Sequence, residues 1–252
     1  PHLGGDNSIK MSKDGKWLVI LNQTQTELVY YKRRNNTWKR IHSLATSGSV
    51  PVFEITPNAD EIRLLNGNEF SVYYRGGDIF TQKSNITLPA APLNFSSYGI
   101  YTLFVYSDEC CIYKNIYGSS DFHIPTMKKI YCIKGNNIIK CDIKLHGFIL
   151  VSQTANATIL ELWSLINDEL RKIAYREYNQ VDCQFFLSMR SDFVYFYDSV
   201  DTKVIYPLGN KLIEAKTHTL LTTAITMSEY NHATFVASVS NGAKPEIHIS
   251  GL

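Results

Sequence analysis

The chain has 252 residues, of which 44% are hydrophobic and only 19% charged, and its formal net charge is +2. This balance, with 16 tyrosines and 12 phenylalanines, is typical of an all-β domain and excludes the strongly basic character of many nucleic-acid-binding domains. No apolar run approaches the roughly 18–20 residues that a membrane-spanning helix needs.

A β-type unit recurs every 40–46 residues along the chain. In the two clearest copies, Ser12–Ile20 and Thr56–Leu65, a polar turn leads into a short apolar strand. Looser copies are anchored near Ser96, Asp142, Ser188 and Ser228. Repeats of this period, each holding several strands, are typical of the blades of a β-propeller. The sequence therefore predicts an all-β propeller of about six four-stranded blades, or part of a seven-bladed one, with about 42 residues per blade and one domain over residues 1–252.

A second series of residues repeats in step with the first. It consists of an apolar residue followed by a ring, at Val29-Tyr30, Val72-Tyr73, Ile112-Tyr113, Leu162-Trp163, Ile205-Tyr206 and Ile247-His248. After five of these pairs come residues that favour hairpin turns, at 34–37, 75–78, 118–120, 167–168 and 209–210. Each unit is therefore expected to contain a third strand that carries the ring, a hairpin and an outer strand.

One local run is basic, and it spans the first predicted hairpin. Its cations are Lys32, Arg33, Arg34, Lys39 and Arg40, which we expect to share one exposed edge. One interpretation is a solvated hairpin that protects an outer strand from edge pairing. The other is a contact with phosphate or with an acidic partner.

The cysteines do not form a recognisable framework. There are five of them, at 110, 111, 132, 141 and 183, and the odd count favours free structural thiols in a reducing compartment. Because neighbours in a strand point to opposite faces, at most one of Cys110 and Cys111 is expected to face the core. The alternative is a secretory protein, in which Cys132 and Cys141 pair across a hairpin. Five Asn-x-Ser/Thr sequons support that alternative, at Asn22, Asn35, Asn85, Asn94 and Asn156.

Catalytic motifs are not found in the sequence. The seven histidines are scattered without His-x-x-x-His spacing, and neither a Cys-x-x-Cys pair, a Gly-x-Ser-x-Gly elbow nor a glycine-rich phosphate loop occurs. Asp14-Gly15-Lys16-Trp17 departs from the spacing of the sialidase aspartate box, so we interpret it as an ordinary turn. The sequence predicts no catalytic residue, no cofactor and no metal site.

The repeat resembles the WD40-like propeller superfamily. Ser12–Val19 looks like the family's Ser-Pro-Asp-Gly-x-x-Leu-Ala turn and second strand, and Thr158–Ser164 with 167–170 is similar to its third strand, tryptophan and hairpin. Tyr30, Tyr73, Tyr113 and Tyr206 would replace that tryptophan elsewhere, with the ring between blades and the hydroxyl at the rim. The family's Gly-His pair and turn aspartate are missing. Val29–Arg33 with Thr37-Trp38 also looks like the integrin-type propellers, but without their calcium-binding loop.

The resemblance implies a non-enzymatic scaffold for protein–protein interaction, a subunit of a larger complex in the cytoplasm or elsewhere inside the cell. The alternative is a secreted or lumenal propeller, sialidase-like or integrin-like, that binds glycan or protein. The last unit ends in a third strand near residues 246–250, so we expect its closure to use further chain or a strand donated by a partner protein. The sequence leaves the binding face open, as well as a further domain beyond residue 252.

Overall fold

The structure is a computed structural model, which describes residues 9–12, 14–22, 24–46, 51–118, 121–181, 183–188, 191–197, 201–219, 224–230, 233–239 and 247–251. Regular structure in these residues consists of 23 β-strands, as the all-β prediction requires. No helix is found among them, so none offers the long apolar helix that a membrane crossing requires.

The strands group in chain order. The first sheet contains β1 (Ile9–Met11), β2 (Trp17–Leu21), β3 (Glu27–Arg34) and β4 (Thr37–Ala45). The second contains β5 (Val52–Ile55), β6 (Glu61–Asn66), β7 (Glu69–Gly76) and β8 (Ile79–Thr87). The third contains β9 (Asn94–Tyr98), β10 (Tyr101–Val105), β11 (Glu109–Gly118) and β12 (Asp121–Lys134). In each of the three, spatial order follows chain order.

The fourth sheet has eight strands and joins two groups of four. One group is β13 (Ile138–Ile143), β14 (Gly147–Gln153), β15 (Thr158–Ile166) and β16 (Glu169–Tyr178). The other is β17 (Gln184–Leu187), β18 (Val194–Tyr197), β19 (Asp201–Leu208) and β20 (Lys211–Thr219). A parallel bridge between Tyr175 and Lys211 links the outer strands β16 and β20. The fifth sheet contains β21 (Ala224–Tyr230), β22 (Ala233–Val239) and β23 (Ile247–Gly251).

The chain divides into two compact units, each with its own apolar core. One comprises Pro1–Phe95 and Lys114–Lys128, and the other comprises Ser96–Tyr113 and Lys129–Leu252. In the first unit, side chains of β2 alternate as a strand requires, with Trp17, Val19 and Leu21 buried. In the second, one core cluster lies around β14–β20 and another around β10, β11, β13 and β14.

A turn of the same geometry connects the first and second strands at Ser12, Thr56 and Ser188. In each turn, the hydroxyl oxygen accepts a hydrogen bond from the backbone N–H five residues later, at 2.9, 3.0 and 3.3 Å. The backbone N–H of the same residue donates to the carbonyl oxygen five residues later. Thr56 lies 44 residues after Ser12, and Ser188 lies 132 residues after Thr56, which is three periods of 44. The sequence period is therefore also a repeated hydrogen-bond pattern.

A carboxylate completes each of these turns. The Ser12 hydroxyl donates to Asp14 at 2.7 Å, the Ser188 hydroxyl to Asp192 at 2.6 Å, and the Thr56 hydroxyl to Asp60. The hydrogen bond from Ser12 is the main cause that lowers the pKa of Asp14 below its ordinary value. The interpretation of Asp14-Gly15 as a turn is thereby confirmed.

The other anchors lie in different places. Ser96 is on β9, where its hydroxyl accepts a hydrogen bond from the Ile143 N–H at 3.2 Å. Asp142 is on β13 and accepts one from the Leu187 N–H at 3.0 Å. These two side chains therefore connect successive first strands instead of closing a turn, and Ser228 lies within β21.

The ring-bearing pairs lie on the third strand of each group, as predicted. Four of these strands have a bulge against the outer strand at a recurring place, between Tyr30 and Tyr31, Val72 and Tyr73, Leu162 and Trp163, and Val204 and Ile205. Relative to the bulge, Tyr31 and not Tyr30 matches Tyr73 and Trp163. A shift of one residue moves a side chain to the opposite face of a strand.

Tyr30 shows the consequence of that shift. Its ring is fully buried and stacks on Phe80, with the ring centroids 4.7 Å apart. Its hydroxyl is buried and has no hydrogen-bond partner among the described residues, and burial raises its pKa. The expectation that this hydroxyl reaches the rim is therefore wrong.

The predicted turns are present where the structure describes them. Asn35-Asn36 and Asn167-Asp168 have both residues at positive φ, between +50° and +67°, which is the geometry of a tight hairpin. Gly77 and Gly209 supply positive φ in two further hairpins. Residues 119–120 of the remaining turn lie outside the described part of the chain.

Candidate protein-docking surface

The predicted basic run lies on the hairpin formed by β3 and β4, here called the basic hairpin. In this register Lys32 pairs with Lys39, and Tyr31 pairs with Arg40. Because paired residues share a face and neighbours alternate, Lys32, Arg34 and Lys39 lie on one face, and Arg33 and Arg40 lie on the other. The five charges are therefore divided between two faces, whereas we had expected them to share one exposed edge.

Two carboxylates, Asp78 in the turn between β7 and β8 and Glu27 on β3 itself, neutralise three of the five cations of the basic hairpin. Lys32 and Arg34 both form ion pairs with Asp78, the second at 2.6 Å. The hydrogen bond from Lys32, together with both positive charges, lowers the pKa of Asp78 below its ordinary value. Arg40 pairs with Glu27 at 2.8 Å. The role of these residues as a phosphate or partner contact stays a prediction.

The other two cations of the basic hairpin lack a carboxylate partner within the described residues. Arg33 donates to the Asn36 side-chain oxygen at 3.1 Å, and exposed Lys39 forms no ion pair there. Beneath the hairpin, buried Trp17 has the Lys32 ammonium 5.0 Å and the Arg75 guanidinium 4.8 Å from its ring. Lys32 is therefore held by both an anion and a ring, which leaves it little freedom to reach a ligand.

A second surface lies on the four central strands of the fourth sheet, β15, β16, β20 and β19, and the sequence did not indicate it. We call it the aromatic–cation strip and define it by Trp163, Lys172, Tyr175, Lys211 and Leu208. Trp163 pairs with Lys172 across β15 and β16, Tyr175 with Lys211 across β16 and β20, and Lys211 with Leu208 across β19 and β20. The strip thus consists of two cross-strand rows, Trp163 with Lys172 and Tyr175 with Lys211 and Leu208.

The strip combines apolar exposure with positive charge. Tyr175 is 57% exposed and Leu208 is 61% exposed. The Lys172 ammonium lies 5.1 Å from the Tyr175 ring centroid and 5.8 Å from that of Trp163, and it also pairs with Glu161. Lys211 is exposed and forms no ion pair within the described part of the chain. Its charge is therefore available to a ligand.

A cleft of about 310 Å³ opens beside the strip. It is lined by Tyr175, Arg176, Asn210, Lys211 and Leu212. Arg176 pairs with Glu214 at 2.7 Å and donates to the Leu212 carbonyl oxygen at 3.2 Å. These two contacts hold Arg176 as a wall of the cleft, so that Lys211 is its exposed lining cation without an ion pair in the described residues.

Buried rings support this region from below. Tyr178 stacks on Phe196 with the ring centroids 4.5 Å apart, and the Arg176 guanidinium lies 5.0 Å from the Tyr178 ring. Burial raises the pKa of Tyr178, whose hydroxyl has no hydrogen-bond partner in the described structure. The outer strand β16 therefore packs on a buried aromatic cluster.

The cysteines differ from both predictions. The structure forms a disulfide between Cys111 and Cys132, and Cys141 is buried elsewhere, so the expected Cys132–Cys141 pair is wrong. As neighbours in a strand, Cys110 and Cys111 point to opposite faces of β11, but both are buried, so the expectation that at most one faces the core is wrong. Near these cysteines, burial raises the pKa of Tyr106 to about 12 and also raises the pKa of Tyr113.

The sequons fall into two groups. Asn35, Asn85 and Asn156 are exposed, and Asn35 lies at the tip of the basic hairpin. Asn22 and Asn94 are half-buried, and their amide oxygens accept backbone hydrogen bonds at 2.8–3.1 Å. Only the exposed group is therefore free of a role in capping the backbone.

The chain was compared with protein families, curated proteins and solved structures. Neither a family model nor a curated protein sequence matches it. A functionally unknown protein from Desulfotomaculum acetoxidans has a TM-score of 0.70 at 14% identity, with 100% of this chain and 90% of that chain covered. The WD40 domain of Toxoplasma gondii coronin has a TM-score of 0.72 at 7% identity, with 97% of this chain and 68% of that chain covered. A putative 6-phosphogluconolactonase from Bacteroides fragilis has a TM-score of 0.64 at 12% identity, with 99% of this chain and 84% of that chain covered.

These similarities show the fold of the chain and do not show its function. The similar structures, which include several WD40 domains, place the chain in the β-propeller class. Several of these structures are WD40 domains, so the fold agrees with the resemblance to WD40-like propellers that the repeat shows. The number of blades, about six, stays a prediction.

Proposed function

We propose that this protein is a non-enzymatic scaffold for protein–protein interaction, a subunit of a larger complex inside the cell, and that the aromatic–cation strip holds its partner. The single observation that carries the proposal is the exposure of Tyr175 and Leu208 on either side of Lys211, which has no ion pair among the described residues. Exposed apolar side chains gathered in one place and rimmed by polar groups are typical of interaction sites.

The composition of the strip fits what binding surfaces use. Tyrosine and tryptophan contribute large contact areas with few rotatable bonds, and they dominate the binding energy of many interfaces. Lysines beside these rings add charge that steers an oppositely charged partner and fixes its orientation. The strip is therefore suited to holding a short segment of a partner protein.

The charge of the strip selects the chemistry of that segment. Lys172 and Lys211 contribute two positive charges, and Glu161 offsets one of them. The best complement is an extended acidic segment with one or two apolar side chains, which cover Tyr175 and Leu208 while a carboxylate reaches Lys211. A basic or uncharged segment leaves Lys211 without a partner.

The test uses short fluorescent peptides in which glutamates alternate with leucines, and a control series with lysines in place of glutamates. We expect the acidic series alone to bind, and Lys211→Glu to weaken binding at least tenfold, which corresponds to about 1.4 kcal/mol. Lys39→Glu is the matched control, since Lys39 is also an exposed lysine without an ion pair in the described residues. Equal losses in the two variants, or no loss in Lys211→Glu, would contradict the proposal.

A strand donated by the partner is a further part of this proposal. In the described residues the fifth sheet has three strands, and β22 is the one neighbour of β23. A free edge of this kind presents backbone groups that can pair with an added strand. The segment that binds the strip and the segment that extends β23 can belong to the same partner.

A secreted or lumenal propeller that binds glycan or protein is the second candidate. The Cys111–Cys132 disulfide favours it, because such bonds persist mainly in oxidising compartments. A glycan on exposed Asn35 of the native protein would select this candidate, and an unmodified Asn35 together with a partner bound at the strip would select the first.

A further inference from the structure

One face of the third sheet brings together three side chains that can bind a metal ion. Glu109 and Cys111 lie two residues apart on β11, so they share a face. Cys132 lies on the neighbouring strand β12, joined to Cys111 by the disulfide. The carboxylate oxygen and the two sulfur atoms all lie within 4.8 Å of one another, and all three residues belong to the second compact unit.

The backbone holds these residues together whether or not the disulfide is present. The Cα atoms of Cys111 and Cys132 are 4.1 Å apart on hydrogen-bonded neighbouring strands. Reduction of the bond therefore leaves two thiols and a carboxylate confined to a small volume. Cys110 does not compete as a ligand, because it points to the other face and packs in the core.

Zinc matches this group in both chemistry and size. It prefers thiolate ligands at about 2.3 Å and accepts a carboxylate oxygen at about 2.0–2.2 Å, which separates neighbouring ligand atoms by roughly 3.5–4 Å. The spacing of the three side chains allows that arrangement. Three anions in one place also repel one another, so a divalent cation would stabilise them.

We propose that the reduced protein binds a zinc ion through Cys111, Cys132 and Glu109, and that the disulfide is the metal-free alternative state of the same site. Cys132 is exposed and Cys111 is buried, so reagents reach the site through Cys132. The exposed side leaves a coordination position for water. This site is separate from the aromatic–cation strip and does not depend on the proposed docking function.

The change of state needs a thiol reductant, such as a cellular monothiol. Its thiolate attacks the Cys132 sulfur, the Cys111–Cys132 bond breaks, and Cys111 leaves as a thiolate. A second reductant molecule then releases Cys132 and forms the oxidised reductant disulfide, so that two electrons pass to the protein. Zinc binding afterwards displaces the protons that remain on the two thiols, and these protons go to solvent.

The test uses cobalt(II) as a visible substitute for zinc, added to the whole chain after reduction with a phosphine and again without reduction. We expect the reduced protein to bind one cobalt ion with a thiolate-to-metal charge-transfer band, which one equivalent of zinc removes. The oxidised protein should show no such band. We expect Cys132→Ser to lose the band and Glu109→Gln to weaken the affinity at least about tenfold, as loss of a group that supports a metal does.

Cys183→Ser is the matched control, since Cys183 is a partly exposed cysteine outside the group. It should bind cobalt as the wild type does. Circular dichroism of each variant separates loss of the site from loss of the fold, and Cys132 is exposed enough for serine to be tolerated. The proposal is overturned if the reduced wild type binds no metal, if folded Cys132→Ser binds equally well, or if Cys183→Ser loses the band.

Discussion

The basic hairpin and the aromatic–cation strip contain similar residues but present different surfaces. Each combines lysine or arginine with an aromatic side chain on outer strands. In the basic hairpin, Asp78 holds both Lys32 and Arg34, although it lies 46 and 44 residues away in the chain. In the strip, Lys211 has no such carboxylate among the described residues. The number of cations in a sequence therefore differs from the number that a partner can reach.

The apolar side chains make the same distinction. Trp38 on the basic hairpin is 40% exposed but stands among charged neighbours. Tyr175 and Leu208 are more exposed and flank one lysine across three adjoining strands. A partner that covers the strip gains apolar contact on both sides of a single ion pair, an arrangement that the basic hairpin does not offer.

The largest expected effect is at Tyr175. Tyr175→Ala should weaken binding of the acidic peptides by about 2 kcal/mol, or roughly 30-fold, because it removes a large exposed ring at the centre of the strip. Tyr175→Phe should change the affinity little, since the ring remains. Fluorescence anisotropy measures both variants. Trp38→Ala is the control from the basic hairpin, and a loss there as large as in Tyr175→Ala would remove the distinction between the two surfaces.

A smaller effect is expected from Asp78→Asn. The amide imitates the protonated carboxyl group, a form that the lowered pKa of Asp78 keeps out of the neutral range. Lys32 and Arg34 then lose their common anion, so the variant should elute from a heparin column at a higher salt concentration than the wild type. The measurement is the salt concentration at elution.

Glu27→Gln provides the matched comparison, because it changes the net charge equally but releases only Arg40. We expect it to raise retention less than Asp78→Asn does. Equal shifts in the two variants would show that net charge, and not the release of particular cations, controls binding to the basic hairpin.

The smallest effect is expected at Glu161 in the strip. Glu161→Gln removes the carboxylate that pairs with Lys172, which should strengthen binding of the acidic peptides by about 0.5 kcal/mol, or roughly twofold. The same anisotropy assay applies. Weaker binding would indicate that Glu161 acts mainly by positioning Lys172 and the Trp163 N–H, which donates to Glu161 at 3.1 Å.

Local features of the fold could be predicted because they depend on neighbouring residues. The turns at Asn35-Asn36 and Asn167-Asp168 need positive φ, which asparagine and aspartate tolerate better than most residues. The Ser12 turn is likewise closed by hydrogen bonds within six residues. Tyr30 was misjudged because a bulge displaces the register by one residue, and the spacing of apolar residues alone does not reveal a bulge.

The candidate site was harder to predict for a related reason. Trp163 and Lys172 belong to one hairpin, and their pairing could have been inferred from the turn at 167–168. Tyr175 and Lys211 are 36 residues apart in the sequence and meet only through the parallel bridge between β16 and β20. The Cys111–Cys132 pair escaped detection because the intervening hairpin has long strands and no distinctive spacing of cysteines.

The sequence by itself determined the all-β class, the repeat period and most hairpins, since each depends on strand alternation and on turn residues a few positions apart. The tertiary structure alone decided which cations are neutralised, which cysteines pair and which rings remain exposed. Those outcomes depend on strands that are distant in the chain and adjacent in space. Coulomb attraction, disulfide bonding and burial all act over a few ångströms, so only the folded chain brings their partners within range.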